Sequence, residues 1–163
     1  MTPILPSLSR PAALCLVAAP LLLTVADALQ LADPGTVPWT IFLWVAFVAF
    51  IPAIFTVAAL LHGRAPRWAL LAGAAATTGA VAGAGIAVLS RVRAFLASPA
   101  VDRAVGLPAR EAIERSSLIA LTTLVPGILF PLGTMLLAAG LAWTRSVPRG
   151  AAALLGLGGL LFP

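Results

Sequence analysis

The residue most able to do chemistry is Asp27, the one acidic or basic residue inside an apolar segment of this 163-residue chain. An acidic side chain at the bilayer centre costs on the order of 3 kcal/mol, so such a residue is a functional candidate by default. Thr24 lies one helical turn earlier, where it could hydrogen-bond the carboxylate, and Gln30 shares the same helix face. Asp27 also lies about 8 Å of helix from the segment end, within reach of interfacial water. Two hypotheses stay open: a proton or cation site, and an interfacial or packing role.

Two prolines in the stretch VPGILFPLGTM form a second candidate. Pro126 and Pro131 have no N–H, so the carbonyls of Thr122 and Gly127 lose their helical donors. Freed carbonyls inside a membrane must find other partners, and transporters use them to bind ligands. The alternative is a kinked helix that only packs, because the nearby polar side chains are all threonines. The predicted ion or substrate pathway therefore contains these residues: Asp27, Thr24, Thr122, Pro126 and Pro131.

Small residues dominate the stretch AGAAATTGAVAGAG at positions 72–85. Gly79 and Gly83 have the four-residue spacing at which membrane helices approach closely. We therefore predict that Gly79 and Gly83 are helix-packing residues in a central helix crossed by its neighbours or by a second protomer. A glycine-lined ligand path is the alternative.

The chain offers few groups for catalysis or cofactor binding. It has one histidine, His62, and one cysteine, Cys15, which leaves metal and haem sites without ligands. Glu111 and Glu114 are three residues apart but are flanked by arginines, and no convergent catalytic set can be assembled around them. The net charge of +5 comes from dispersed arginines, which does not favour nucleic-acid binding. We predict no catalytic residues, no cofactor and no metal.

The elements that must position Asp27 and the prolines are membrane-spanning helices. Hydrophobic residues make up 61% of the chain, charged residues make up 9%, and the mean hydropathy is +1.10. A spanning helix needs about 20 apolar residues. Four stretches meet that length: residues 11–32, 39–61, 68–90 and 117–143. The predicted fold is therefore an all-α transmembrane helical bundle forming a single domain, in contact with the lipid bilayer.

Two segments lie outside the four predicted spans. Residues 91–116 predict an interfacial loop with a short helix that has Pro108 near its first turn. The apolar stretch 150–163 would reach only about 21 Å as a helix, which is too short to span. It predicts either a truncated fifth helix or a deliberately short one.

Arginine placement gives a prediction of orientation. Arg10 precedes the first span, and further arginines follow the second and fourth spans, which favours a cytoplasmic N-terminus. Arginines in 91–116 then lie outside, unless the third segment re-enters the membrane instead of crossing it. A cleaved secretory signal is a further alternative, because Ala26 and Ala28 flank Asp27 in a small-residue pattern.

Internal similarity is visible at a separation of 32 residues. PLLLTVADAL at Pro20 is similar to PAIFTVAALL at Pro52, and GILFP at Gly127 is similar to GLLFP at Gly159. Each match joins neighbouring helices of opposite direction, and an alphabet rich in Ala and Leu produces such matches easily. We interpret them as coincidence.

All ten basic residues are arginines, which is typical of GC-rich coding sequence. With its opening AAPLLLTVADAL and its GxLFP helices, the chain resembles small multi-pass membrane proteins of GC-rich bacteria. The resemblance implies a bacterial inner-membrane location, but no activity and no catalytic residues. The prediction is thus a non-catalytic membrane protein that acts through helix packing, assembly or regulation of a partner, with a homo-oligomer as one option. The alternative is a small-molecule or ion transporter that uses Asp27 and the proline-broken fourth helix.

Overall fold

The computed structural model describes residues 10–33 and 37–160, without the side chains of residues 10–13, 122, 123, 125, 126 and 160. Within these ranges the chain is all-α, as predicted. Its helices are α1 (Arg10–Ala32), α2 (Val37–His62), α3 (Pro66–Leu96), α4 (Arg103–Arg115), α5 (Ser117–Thr144) and α6 (Arg149–Leu160). Four of them contain stretches long and apolar enough to cross a membrane: Leu14–Ala32, Val37–His62, Pro66–Leu96 and Gly127–Thr144. The protein is a multi-pass membrane protein.

The helices pack as a row rather than as a closed ring. Among the described residues, α1 contacts only α2. The next contacts in the row are those of α2 with α3, of α3 with α5 and of α5 with α6. The core follows this row and is made largely of alanines with a few large side chains, including Phe47, Leu61, Phe130 and Leu137. The centre of the molecule is therefore α3, between α2 and α5.

Glycines let α3 lie close to α5. A Cβ on Gly79 would overlap the backbone of Phe130, and a Cβ on Gly133 would overlap the backbone of Ala76. One turn further along the same face of α3, a Cβ on Gly83 would overlap the ring of Phe47. Close backbone approach is what small residues permit in membranes, where helices gain little from the hydrophobic effect. Gly79 and Gly83 thus lie in contacts within one chain.

Two polar contacts join α5 to the α2–α3 turn. The Trp68 indole N–H donates to the Leu136 carbonyl at 2.7 Å. Arg64 Nη1 donates to the Thr144 carbonyl at 2.6 Å. Carbonyls in the last turn of a helix have no helical donor, so the arginine satisfies one of them. These contacts hold the C-terminal end of α5 against the start of α3.

The helix that contains the third predicted span, residues 68–90, is longer than that span. The apolar run stops at Ser90, but α3 continues to Leu96 because arginine and alanine are good helix formers. Its 31 residues rise about 46 Å, well beyond the hydrocarbon core of about 30 Å. Because α3 is one continuous helix, the re-entrant alternative is wrong.

The polar segment 91–116 is more helical than predicted. α4 begins at Arg103, because the Asp102 side chain accepts a hydrogen bond from the Ala104 N–H at 2.9 Å and caps the helix. Pro108 therefore lies inside α4 and not at its first turn. Ion pairs join Arg110 to Glu114 at 2.8 Å and Arg115 to Glu111 at 3.3 Å. The hydrogen bond from Arg110 lowers the pKa of Glu114.

The row of helices has two ends of different charge. The arginine end holds the start of α1, the α2–α3 turn and the α5–α6 connection, with Arg10, Arg64, Arg67, Arg145 and Arg149. The α4 end holds the α1–α2 connection, the C-terminal end of α3, α4 and the start of α5. It carries five arginines and four of the acidic residues: Arg91, Arg93, Arg103, Arg110, Arg115, Asp33, Asp102, Glu111 and Glu114.

Candidate intramembrane binding site

A cleft of about 320 Å³ lies between α1, α2, α3 and α5. Its lining residues come from all four spans: Leu23, Asp27, Gln30, Trp39, Leu43, Phe47, Gly79, Gly83, Ile86, Ser90, Gly127 and Phe130. We call it the Asp27 cleft. It occupies the half of the membrane nearer the α4 end, since it follows α2 from Trp39 to Phe47 and α3 from Ser90 back to Gly79.

Asp27 is partly buried and lies on the α1 wall of the cleft with Gln30. The ion pairs found among the described residues both lie on α4, so no arginine neutralises this carboxylate there. A carboxylate in an apolar wall binds a proton or a cation strongly, because water does not screen the charge. The carboxylate and the Gln30 amide are the side chains best able to hold a charged ligand.

Thr24 does not support Asp27 in the way the spacing predicted. Its hydroxyl donates to the Pro20 carbonyl at 2.9 Å, and the residue is exposed and outside the cleft. Thr56 does the same with the Pro52 carbonyl at 2.8 Å. A threonine hydroxyl in a helix often bonds the carbonyl four residues earlier, and here that local partner wins over Asp27. Thr24 is therefore not the hydrogen-bond donor to Asp27 that the spacing predicted.

The predicted effect of Pro131 concerns the α5 wall of the cleft, which is contributed by a different helix from Asp27. Pro131 has no N–H, so the Gly127 carbonyl lacks its usual helical donor, and Gly127 lines the cleft. The Pro131 carbonyl itself accepts from the Thr134 hydroxyl at 2.9 Å, on the side of α5 that meets α6. The side chains of Thr122 and Pro126 lie outside the described residues. Of the predicted α5 groups, Pro131 is the one whose freed carbonyl belongs to a residue that lines the cleft, Gly127.

Aromatic rings close the deep end of the cleft. Phe130 meets Phe47 edge-on with ring centres 5.5 Å apart, and meets Phe50 at 5.0 Å. The Gly79 contact with the Phe130 backbone lies at the same level. Beyond this level α3 and α5 are in direct contact, so the cleft is open toward the α4 end and closed toward the arginine end.

Sequence reasoning missed several lining residues. The sequence did not predict the lining roles of Trp39, Phe47, Ser90 and Phe130. The Ser90 hydroxyl donates to the Ile86 carbonyl at 2.9 Å, within its own helix. One signal was available: Ser90 and Asp27 lie at nearly the same depth, six and five residues from the ends of their helices at the α4 end.

The described residues contain no group of three or more His, Cys, Asp or Glu side chains able to hold a metal ion. The chemistry of the Asp27 cleft is therefore that of one carboxylate, one amide and one freed carbonyl among apolar and aromatic groups. Comparisons of the chain with protein-family models, curated proteins and solved structures find no match.

Proposed function

We propose that this protein is a non-enzymatic membrane transporter of the small-molecule or ion class, which binds a cation at Asp27. One observation carries the proposal: Asp27, Gln30 and the residue with the freed carbonyl, Gly127, line a single cleft inside the membrane. Carboxylates inside the membrane mark ion and proton pathways, because the free-energy cost of placing a charge in the bilayer makes them rare where they have no function.

The charge of the ligand can be inferred from the residues that line the cleft. None of the described lining residues is an arginine, and Asp27 is the one charged residue among them. An anion would meet the Asp27 charge at short range without compensation, whereas a cation would neutralise it. If Asp27 releases a proton when the cation binds, cation transport and proton transport are coupled.

The test uses purified protein in liposomes loaded with a pH-sensitive dye. Na⁺, K⁺ and tetraphenylphosphonium are the probes, and the rate of proton movement after each addition is measured. We expect at least one probe to drive proton movement in the wild type and Asp27→Asn to lower that rate at least tenfold. The amide keeps the size of the side chain and removes its charge.

Asp33→Asn is the matched control, because Asp33 lies just beyond α1 and outside the cleft. It should keep the wild-type rate to within about twofold. Circular dichroism and gel filtration verify that both variants fold. Equal rates in the wild type and in folded Asp27→Asn would contradict transport through Asp27.

We place the protein in the inner membrane of a bacterium, with the arginine end and the N-terminus in the cytoplasm. Both ends carry arginines, but the first helix usually dominates orientation, and Arg10 precedes it. The arginine end also lacks acidic residues among the positions assigned to it, whereas the α4 end carries several.

Cysteine labelling of intact cells tests this orientation. In a Cys15→Ala background, Ala104→Cys on α4 should react with a membrane-impermeant maleimide, because the residue is exposed. Gly150→Cys, at the exposed start of α6, should react only after the membrane is permeabilised. The reversed labelling pattern would show that the N-terminus is outside.

A groove between α2 and α3 favours a second candidate function, assembly with another membrane protein. It has a volume of about 540 Å³ and is lined mostly by small residues, including Ala58, Ala59, Gly73 and Ala74. Small-residue surfaces are where membrane helices dock, so a spanning helix of a second copy would fit there. Unchanged proton movement in Asp27→Asn would leave this packing role as the better proposal.

A further inference from the structure

We infer that the ligand of the Asp27 cleft is an amphipathic organic cation and not an inorganic ion. This inference rests on the proposed function and narrows it to a substrate class. It is argued from the size of the cleft, the number of its oxygen ligands and the position of its aromatic rings.

Size is the first argument. The cleft volume of about 320 Å³ falls within the range of about 300–1,000 Å³ that small-molecule sites occupy. α1 and α5 make no contact among the described residues, so the cleft is not narrowed from that side. A bare metal ion would leave most of this volume to be filled by water among apolar walls.

Coordination is the second argument. Hard inorganic cations take about six or more oxygen ligands at short distances. Among the described lining residues, only Asp27, Gln30 and Ser90 have side-chain oxygens, and the Ser90 hydroxyl already donates within α3. Even with the Gly127 carbonyl, the oxygens are too few to replace a hydration shell. An organic cation needs only one carboxylate to balance a diffuse charge.

Aromatic lining is the third argument. Trp39, Phe47 and Phe130 contribute rings to the walls, and the remaining lining is mainly aliphatic. An organic cation gains attraction from ring faces and from apolar contacts for its body. The lining thus offers one charge site near Asp27 and an apolar wall that ends at Phe130.

Equilibrium binding to purified protein in nanodiscs tests the inference. Tetraphenylphosphonium is the probe, and tetraphenylborate is the control of the same shape and opposite charge. We expect saturable binding of tetraphenylphosphonium only, at least tenfold weaker in Asp27→Asn and within about twofold of the wild type in Asp33→Asn.

Gly127→Leu separates an organic ligand from an inorganic one. Among the described residues, no atom lies within 4 Å of a Cβ built on Gly127, so there is space for a larger side chain on this residue of the cleft wall. It should weaken tetraphenylphosphonium binding at least fivefold. Gly85→Leu is the control, since Gly85 has equal space and lies outside the cleft. If Gly127→Leu does not fold, Gly127→Ala takes its place in the binding measurement.

The possible outcomes distinguish this inference from the proposed function. Proton movement driven by Na⁺ or K⁺ and dependent on Asp27, without saturable tetraphenylphosphonium binding, would overturn the organic-cation inference and leave transport standing. Loss of binding in Asp27→Asn but not in either Gly127 variant would also overturn it, because the ligand would then lie outside the cleft. If Asp27→Asn changes neither proton movement nor tetraphenylphosphonium binding, both the organic-cation inference and the proposed transport function are overturned.

Discussion

Phe130→Ala is expected to lower the free energy of unfolding by about 2–3 kcal/mol. Phe130 of α5 is only 3% exposed and contacts Phe47 and Phe50 of α2. Loss of a buried ring costs about 3–5 kcal/mol in soluble proteins. The expected loss here is smaller, because the ring of the unfolded protein would lie in lipid, so the cost comes from lost packing rather than from contact with water.

Steric trapping in bicelles measures this loss, and Phe55→Ala is the matched control. Phe55 is 61% exposed and lines the open groove between α2 and α3, so its truncation should change the free energy by less than about 0.5 kcal/mol. Equal losses for Phe55 and Phe130 would show that the three-ring cluster does not stabilise the contact between α2 and α5.

Gly79→Ala is expected to lower the free energy of unfolding by about 2 kcal/mol. The added methyl group would overlap the Phe130 backbone, which belongs to a helix and cannot shift alone. Overpacking of this kind costs about 1–3 kcal/mol. The variant should also separate α3 from α5 and so alter the deep end of the Asp27 cleft.

Gly85→Ala makes the same substitution on the same helix, at a position where no atom lies within 4 Å of the new Cβ. It should be neutral or stabilising by up to about 1 kcal/mol, since alanine is the better helix former. The same unfolding assay compares the two variants. Similar effects at both positions would mean that α3 and α5 are not in close contact at Gly79.

Much of the architecture could be predicted because membrane spans are set by length and hydropathy. The bounds of α1, α2 and α5 follow the predicted spans 11–32, 39–61 and 117–143 closely. The end of α3 could not be located from hydropathy alone, since helix propensity carried the helix past Ser90 into polar sequence. The start of α4 was predicted too late, because Pro108 was the sequence signal for the first turn. The helix begins five residues earlier, where the Asp102 side chain caps it.

The candidate site was only partly predictable. Asp27 was identified because a charge inside an apolar segment is visible in any sequence, and Gly127 followed from the position of Pro131. Phe47 and Phe130 could not be assigned to the cleft, because α2 and α5 are apolar on all faces and no pattern shows which side meets α3. Thr24 was assigned wrongly, since spacing alone does not show which acceptor a hydroxyl prefers.

The single neighbour of α1 has a consequence for the native ensemble. Among the described residues α1 packs on α2 alone, so α1 can separate from α2 while the contacts among α2, α3 and α5 stay in place. Asp27 and Gln30 would move with it, while the α2–α3–α5 core stayed folded. A ligand that bridges Asp27 to the opposite wall would favour the closed form by mass action, so occupancy of the site and the attachment of α1 are thermodynamically linked.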